Sequence, residues 1–257
     1  MSLREYFLES FERYKNNIAF NYQAKKDESF IWQSLTYEDV KKYSIKICSY
    51  LQNQVSTEEK VILYAENSPW WCIAYIGIIL SGSIAVPVDV ETDRDTLQTI
   101  IVDSEAKLIF YSEKTADKIG NFNGFNIEKI KDLQIPEQID FAHTQEQTIA
   151  SIIYTSGTTG NPKAVMLAHA NFVFQIEAIK KTNIIGEKEN ILSILPLHHT
   201  YPFVCSFLVP FSLGATVTFL SQIRGDELLK TMKMLNVTAM IAVPKLLELF
   251  RNRILEK

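Results

Sequence analysis

Short, continuous apolar runs alternating with helical periods constrain this chain more than any other feature. The runs are Val61–Ala65, Ile84–Val90, Lys107–Tyr111, Ile149–Tyr154, Ile191–Leu195, Thr216–Leu220 and Thr238–Val243. A strand that is apolar at consecutive positions must bury both of its faces, as strands do in a parallel sheet covered by helices on each side. Between the runs, Thr36–Asn53 places Tyr37, Val40, Tyr43, Ile47, Tyr50 and Leu51 on one helical face. Ser68 and Pro69 supply the N-cap and first turn of a helix that runs to about Ser81, where Gly82 ends it. Further helices are expected over Asp95–Asp103, Ala170–Lys181, Asp226–Leu235 and Lys245–Ile254, with another ending at Leu213. The polar stretch from Lys114 to Gln147 reads as loops or edge structure. The expected fold is α/β, with mostly parallel sheets covered by helices.

The charge balance narrows the function. Lys and Arg number 26 against 30 Asp and Glu, a net charge of −4, and no basic run offers a surface to nucleic acid. Cys48, Cys72 and Cys205 are scattered and odd in number, which argues against a disulfide framework or a zinc site and fits a reducing compartment. The opening MSLREYFLESFERYK has no apolar signal region. Two long stretches carry no formal charge, Glu66 to Asp89 and Glu189 to Arg224. The first is interrupted by Ser81-Gly82-Ser83 and Pro87, the second by Pro196, Pro202, Pro210 and Gly214, so each reads as short buried elements and not as a transmembrane span. A cytoplasmic protein is expected, free or peripheral to a membrane.

One stretch concentrates chemistry. Tyr154 to Val165 reads YTSGTTGNPKAV and follows the Ile149–Tyr154 run directly. Ligands of α/β folds gather at the carboxyl ends of strands. Gly157 and Gly160 let the backbone approach a ligand, and successive N–H groups then form an anion nest. Thr155, Ser156, Thr158 and Thr159 add hydroxyls, and Lys163 adds a point charge suited to phosphate. The stretch is not a Walker A loop, since no Gly stands immediately before the Lys and Ala164 stands where Ser or Thr is required. A plain surface turn is the competing reading.

A second candidate is Leu195-Pro196-Leu197-His198-His199-Thr200-Tyr201, where a histidine could orient a carboxylate or balance charge. A structural histidine is the alternative at either position. His143 and His169 read as loop and helix-start residues, and Trp70, Trp71 and Tyr75 as core at helical spacing.

YTSGTTGNPKAVMLAHANF resembles the signature loop of the adenylate-forming (AMP-binding) enzymes: acyl-CoA synthetases, luciferases and the adenylation domains of peptide synthetases. LTYEDV, SGSIAVPVD and LPLHHTYPF resemble other motifs of that family, so the likeness covers most of the chain. The resemblance implies that Thr155, Ser156, Gly157, Thr158, Thr159, Gly160 and Lys163 bind the phosphates of ATP. It further implies that Lys163 and His199 serve adenylation, that His199 lies at the junction of acyl group and α-phosphate, and that Tyr201 lines the acyl pocket. Thr159 is the hydroxyl expected toward Mg²⁺, with coenzyme A as acceptor. Ala164 and Ala168 depart from the usual Gly and Thr.

The expected activity is ATP-dependent activation of a carboxylic acid to acyl-AMP and pyrophosphate, then transfer to coenzyme A. The apolar segment Phe203–Leu213 suggests a fatty or other apolar acid. Two alternatives stand beside it: an amino-acid adenylation domain, and a non-catalytic nucleotide-binding fragment. The family's aromatic-Gly-x-Thr-Glu motif, its ribose-binding Asp and the lid Lys are not found in the 257 residues. The expectation is therefore an N-terminal part of an adenylate-forming domain without the C-terminal lid, inactive alone and open to self-association through uncovered apolar surface. It would comprise a first α/β subdomain to about residue 185, with the phosphate loop at 154–165, and the start of a second from about 186.

Overall fold

The computed structural model describes residues 1–27, 29–155, 162–221 and 225–255. Helix α1 (Leu3–Arg13) leads into a hairpin of β1 (Ile18–Lys26) and β2 (Ser29–Thr36), followed by α2 (Tyr37–Gln52). Then come β3 (Lys60–Tyr64), α3 (Pro69–Leu80), β4 (Ile84–Pro87), α4 (Arg94–Ser104), β5 (Leu108–Tyr111) and the short β6 (Gly124–Asn126). Strands β7 (Ile149–Thr155) and β8 (Lys163–Ala168) precede α5 (His169–Lys180) and β9 (Asn190–Ser193). The chain continues through α6 (Thr200–Phe203), a π-helical turn (Val204–Leu208) and α7 (Val209–Ser212) to β10 (Thr216–Phe219), α8 (Gly225–Met234), β11 (Ala239–Met240) and α9 (Pro244–Leu255).

Local signals account for several boundaries. The Thr36 hydroxyl accepts from the N–H of Asp39, whose carboxylate accepts from the Thr36 N–H at 2.9 Å, a reciprocal cap that starts α2. The Ser68 hydroxyl accepts from the N–H of Trp71 and Pro69 occupies the first turn of α3. Gly82 follows that helix at φ +76°, a conformation glycine adopts without Cβ strain. The helix expected to end at Leu213 is present as a continuous helical run from Thr200 to Ser212, with Val204–Leu208 wound as a π-helix. Pro210 has no N–H to continue a regular ladder there.

The strands form two sheets, ordered β6-β5-β3-β4-β7-β8 and β11-β9-β10-β1-β2. Pairing is parallel except for β7 with β8 and β1 with β2. This is the α/β, mostly parallel architecture that the apolar runs imply. The six-stranded sheet draws on residues 60–168, whereas the five-stranded sheet combines β1 and β2 from the front of the chain with β9, β10 and β11.

Alternate residues of β3 explain its unbroken apolar sequence. Val61 and Leu63 join the main core with α2 and α3, and Ile62 and Tyr64 join a second cluster with Leu97, Ile100 and Ile101 of α4. Both faces are buried. The main core continues between the sheets as an aromatic ladder. Phe211 packs on Tyr37 with ring centroids 4.6 Å apart, and Phe203 packs on Tyr75 at 4.7 Å. Among the described residues no helix is long and apolar enough to cross a membrane.

Candidate active site

The carboxyl ends of the parallel strands converge on the segments that follow them. Beyond β3 lies Ala65-Glu66-Asn67, beyond β4 Val88-Asp89, beyond β9 the Leu195–His199 segment, and at the end of β7 Thr155. This is the edge of an α/β sheet at which ligands bind.

At β7 the sequence-predicted loop begins. Thr155 pairs with Lys163 as the last register pair of the β7–β8 hairpin, and both side chains are exposed. The Thr155 hydroxyl donates to the Lys163 carbonyl at 3.4 Å. The strands thereby hold the first hydroxyl and the lysine across from one another. Ser156, Gly157, Thr158, Thr159 and Gly160 lie outside the described residues. The end of β7 is tied to α4, since the Tyr154 hydroxyl donates to Asp103 Oδ2 at 2.6 Å. Burial and the Asp103 carboxylate push that phenol well upward, so it remains a donor.

The histidines occupy two different environments. His198 is 14% exposed, with Nε2 3.6 Å from Asp89 Oδ2. His199 is exposed at the N-cap of α6, its ring centroid 4.1 Å from that of His198. Tyr201, two residues on, is 53% exposed. Burial lowers His198 to about 4, the nearby His199 acts in the same direction, and Asp89 opposes them. The 3.6 Å approach therefore brings a neutral imidazole to a carboxylate at neutral pH. Asp89 is 46% exposed and screened by water, while His198 has lost its hydration, so desolvation prevails over attraction.

Asn67 organises this segment, and sequence reasoning did not single it out. Its Nδ2 donates to the Leu195 carbonyl at 2.7 Å, and its Oδ1 accepts from the Leu197 N–H at 3.0 Å. The two bonds flank Pro196. Asn67 stands directly before the Ser68 cap of α3, so a strand end and a helix start fix its position. The Asn67-Ser68-Pro69 triplet marks a helix start in the sequence but carries no mark of the backbone that Asn67 meets.

A cleft of about 1130 Å³ opens between the two sheets at these strand ends, with Asn67, Trp70, Asp89 and His198 among its lining residues. Among the described residues its wall bears five carboxylates (Glu66, Asp89, Glu91, Glu113, Glu128) against three lysines (Lys25, Lys114, Lys131), an excess of two negative charges. That field repels a triphosphate, whereas the exposed Lys163 at the mouth of the β7–β8 hairpin attracts one. A shallower hollow of about 780 Å³, lined by Asn17, Glu187 and Thr216 among others, lies at the opposite, amino ends of β9 and β10 and holds none of the candidate residues. Among the described residues no group of three or more His, Cys, Asp or Glu is placed to hold a metal ion.

The class of protein that this fold and loop define is matched by comparison with known proteins. The family model of the AMP-binding enzymes matches residues 7–257, and the chain belongs to that family. Long chain acyl-CoA synthetase 4 of Arabidopsis thaliana is 28% identical over 94% of this chain and 42% of its own length. Tyrocidine synthase 3 of Brevibacillus parabrevis is 27% identical over 85% of the chain and 4% of its own length. Among solved structures, the O-succinylbenzoate coenzyme A synthetase of Bacillus subtilis, in complex with AMP, superposes with a TM-score of 0.81. It is 19% identical, over 95% of this chain and 62% of that one. The N-terminal subdomain of Klebsiella oxytoca NpsA in complex with 3-hydroxyanthranilyl-AMSN gives 0.82, also at 19% identity, over 97% of this chain and 61% of that one. The chain thus spans about two-fifths of the long-chain acyl-CoA synthetase and about three-fifths of these two structures.

Proposed function

We propose that the gene product carrying this chain activates a carboxylic acid with ATP. A carboxylate oxygen attacks the α-phosphorus, a new acyl–O–P bond forms, and the bond to the β-phosphate oxygen breaks, so that acyl-AMP and pyrophosphate result. The thiol of coenzyme A then takes the acyl group and AMP leaves. The observation that carries this reading is the register pair Thr155–Lys163, which closes the hydroxyl-glycine loop at the carboxyl end of β7. Lys163 and the loop residues Thr155 to Gly160 hold the β- and γ-phosphates. Their work is positioning and charge stabilisation, since phosphoryl chemistry asks little else of the protein. His199 orients the carboxylate near the α-phosphate, and Tyr201 borders the acyl group. Mg²⁺ neutralises the leaving pyrophosphate when bound. Thr159 is our candidate hydroxyl toward it.

A fatty or other apolar acid is the substrate class we favour, because the likeness to long-chain acyl-CoA synthetases covers nearly all of the chain. The second reading, activation of an amino acid for a carrier protein, draws on the likeness to tyrocidine synthase 3. A cytoplasmic location accords with three unpaired cysteines. Acid-dependent exchange of labelled pyrophosphate into ATP by the whole gene product tests the proposal. A panel of short, medium, long, aromatic and amino acids is expected to give exchange with at least one apolar acid. No exchange across the panel would overturn the enzyme reading, and exchange with amino acids alone would favour the second.

A further inference from the structure

We propose that Asn67 is a positioning residue for the histidine pair, holding the Leu195–His199 segment in the geometry that adenylation requires. This rests on the function proposed above. Leu195–His199 belongs to neither a strand nor a helix. Its proline removes one N–H, and the acceptor and donor on either side of that proline both end on Asn67. Two further backbone bonds hold its end: the His199 N–H donates to the Pro196 carbonyl at 3.3 Å, and the His199 carbonyl accepts from the Phe203 N–H at 3.0 Å. The amide can satisfy both contacts in only one orientation, with NH₂ toward the carbonyl and oxygen toward the N–H. Asn67 is therefore a two-point clamp with a defined hand.

The clamp spans the two sheets. Asn67 follows β3 of the six-stranded sheet, and Leu195–Leu197 follows β9 of the five-stranded sheet. The Leu197 side chain is 1% exposed, so its backbone is anchored in the core immediately before the histidines. His198 and His199 come next and lean on one another. A change at Asn67 thus acts on His199 through three residues of backbone, while the β7–β8 hairpin that carries Lys163 is a separate element. Misplacing a reacting group by about 1 Å costs about a hundredfold in rate, so loss of the clamp is expected to lower kcat and to spare ATP binding.

The test compares wild type, Asn67→Leu and Asn67→Asp. Leucine has a similar shape and removes both bonds. Aspartate keeps the acceptor for the Leu197 N–H and loses the donor to Leu195. In NMR spectra of the 257-residue chain, Asn67→Leu is expected to speed exchange of the Leu197 amide at least about tenfold and to shift the ring signals of His198 and His199. Asn67→Asp should keep the Leu197 amide protected. In the whole gene product, Asn67→Leu should cut kcat for pyrophosphate exchange by about ten- to a hundredfold with the KM for ATP within about twofold, and Asn67→Asp should fall between. Unmoved histidine signals in a folded Asn67→Leu chain, or an unchanged kcat, would overturn the proposal. So would loss of cooperative melting in both variants, which would make Asn67 a residue of the fold alone. If wild type exchanges with no acid, the functional reading fails, and the NMR arm by itself decides whether Asn67 positions the histidines.

Discussion

His198 Nε2 lies 3.6 Å from Asp89 Oδ2, bringing the residue two beyond β4 of one sheet to the segment following β9 of the other. The geometry is that of an ion pair, and the environment is not. Burial lowers His198 to about 4, more than the half-exposed carboxylate restores. Nitrogen-detected NMR is therefore expected to show a neutral His198 ring from pH 8 down to about 5.5. Asp89→Asn should move its proton uptake lower still, because the group that favours the charged form is gone. A His198 ring that titrates near 6.5 in wild type would refute this reading.

Lys163 is exposed at the end of the β7–β8 hairpin. Lys163→Ala in the whole gene product should lower pyrophosphate exchange at least about tenfold. The melting temperature should stay within about 2 °C, as for other exposed substitutions. Retained activity per folded molecule with a broken melting transition would make the lysine structural.

Acid should destabilise this fold at mildly low pH. His169 at the start of α5 is 2% exposed, and burial lowers it to about 4, with Glu5 opposing. His198 is lowered similarly. The unfolded chain protonates both near 6.5, so it binds more protons than the folded chain between 6.5 and 4. The stability tied to each neutral imidazole is complete above about 6.5 and is lost as pH falls toward 4, by at most about 3 kcal/mol per group. Urea midpoints at pH 7 and pH 4.5 measure the loss. His169→Gln should reduce its slope, and an equal slope in that variant would count against the account.

Helices α2 and α3 approach too closely for a side chain at Gly77. A Cβ there would sit 2.2 Å from Ile47 Cγ2 and 3.1 Å from the Ser44 carbonyl. Gly77→Ala should cost about 1–3 kcal/mol through overpacking, visible as a drop of several degrees in melting temperature. Combined with Ile47→Ala it should cost somewhat less than the two changes summed, because the truncation removes the Cγ2 clash while leaving Ile47 Cβ 2.5 Å from the new carbon. Strict additivity would show that the contact is not the cause.

Much of the fold was legible because its signals are local. The start of α2 is set by Thr36 and Asp39, three residues apart, and the start of α3 by Ser68 and Pro69. The unbroken apolar run of β3 implies two buried faces wherever the strand lies. By contrast, the β1–β2 hairpin and β8 carry no such signature, whereas α1 carries one in Ser2 and Glu5, three residues apart, that sequence reasoning passed over. Residues of β2 are largely exposed, and Lys163–Ala168 of β8 reads as the continuation of a loop although it is an edge strand.

The candidate site divides along the same line. The hydroxyl-glycine loop and the histidine pair are contiguous in the chain, so residue types and spacing mark them as candidates, and the roles proposed for them come from the family resemblance. Asp89 and Asn67 could not be, because each acquires its role from a partner more than a hundred residues away. Sheet membership is of the same kind: Phe20 pairs with Val217, and only that register carries the front of the chain into the second sheet. Periodicity, caps and motifs are set by covalent neighbours, and the sequence determines them directly. Which carbonyl Asn67 grips, and that His198 is buried enough to stay neutral, depend on packing between distant segments, and the tertiary structure alone decides them.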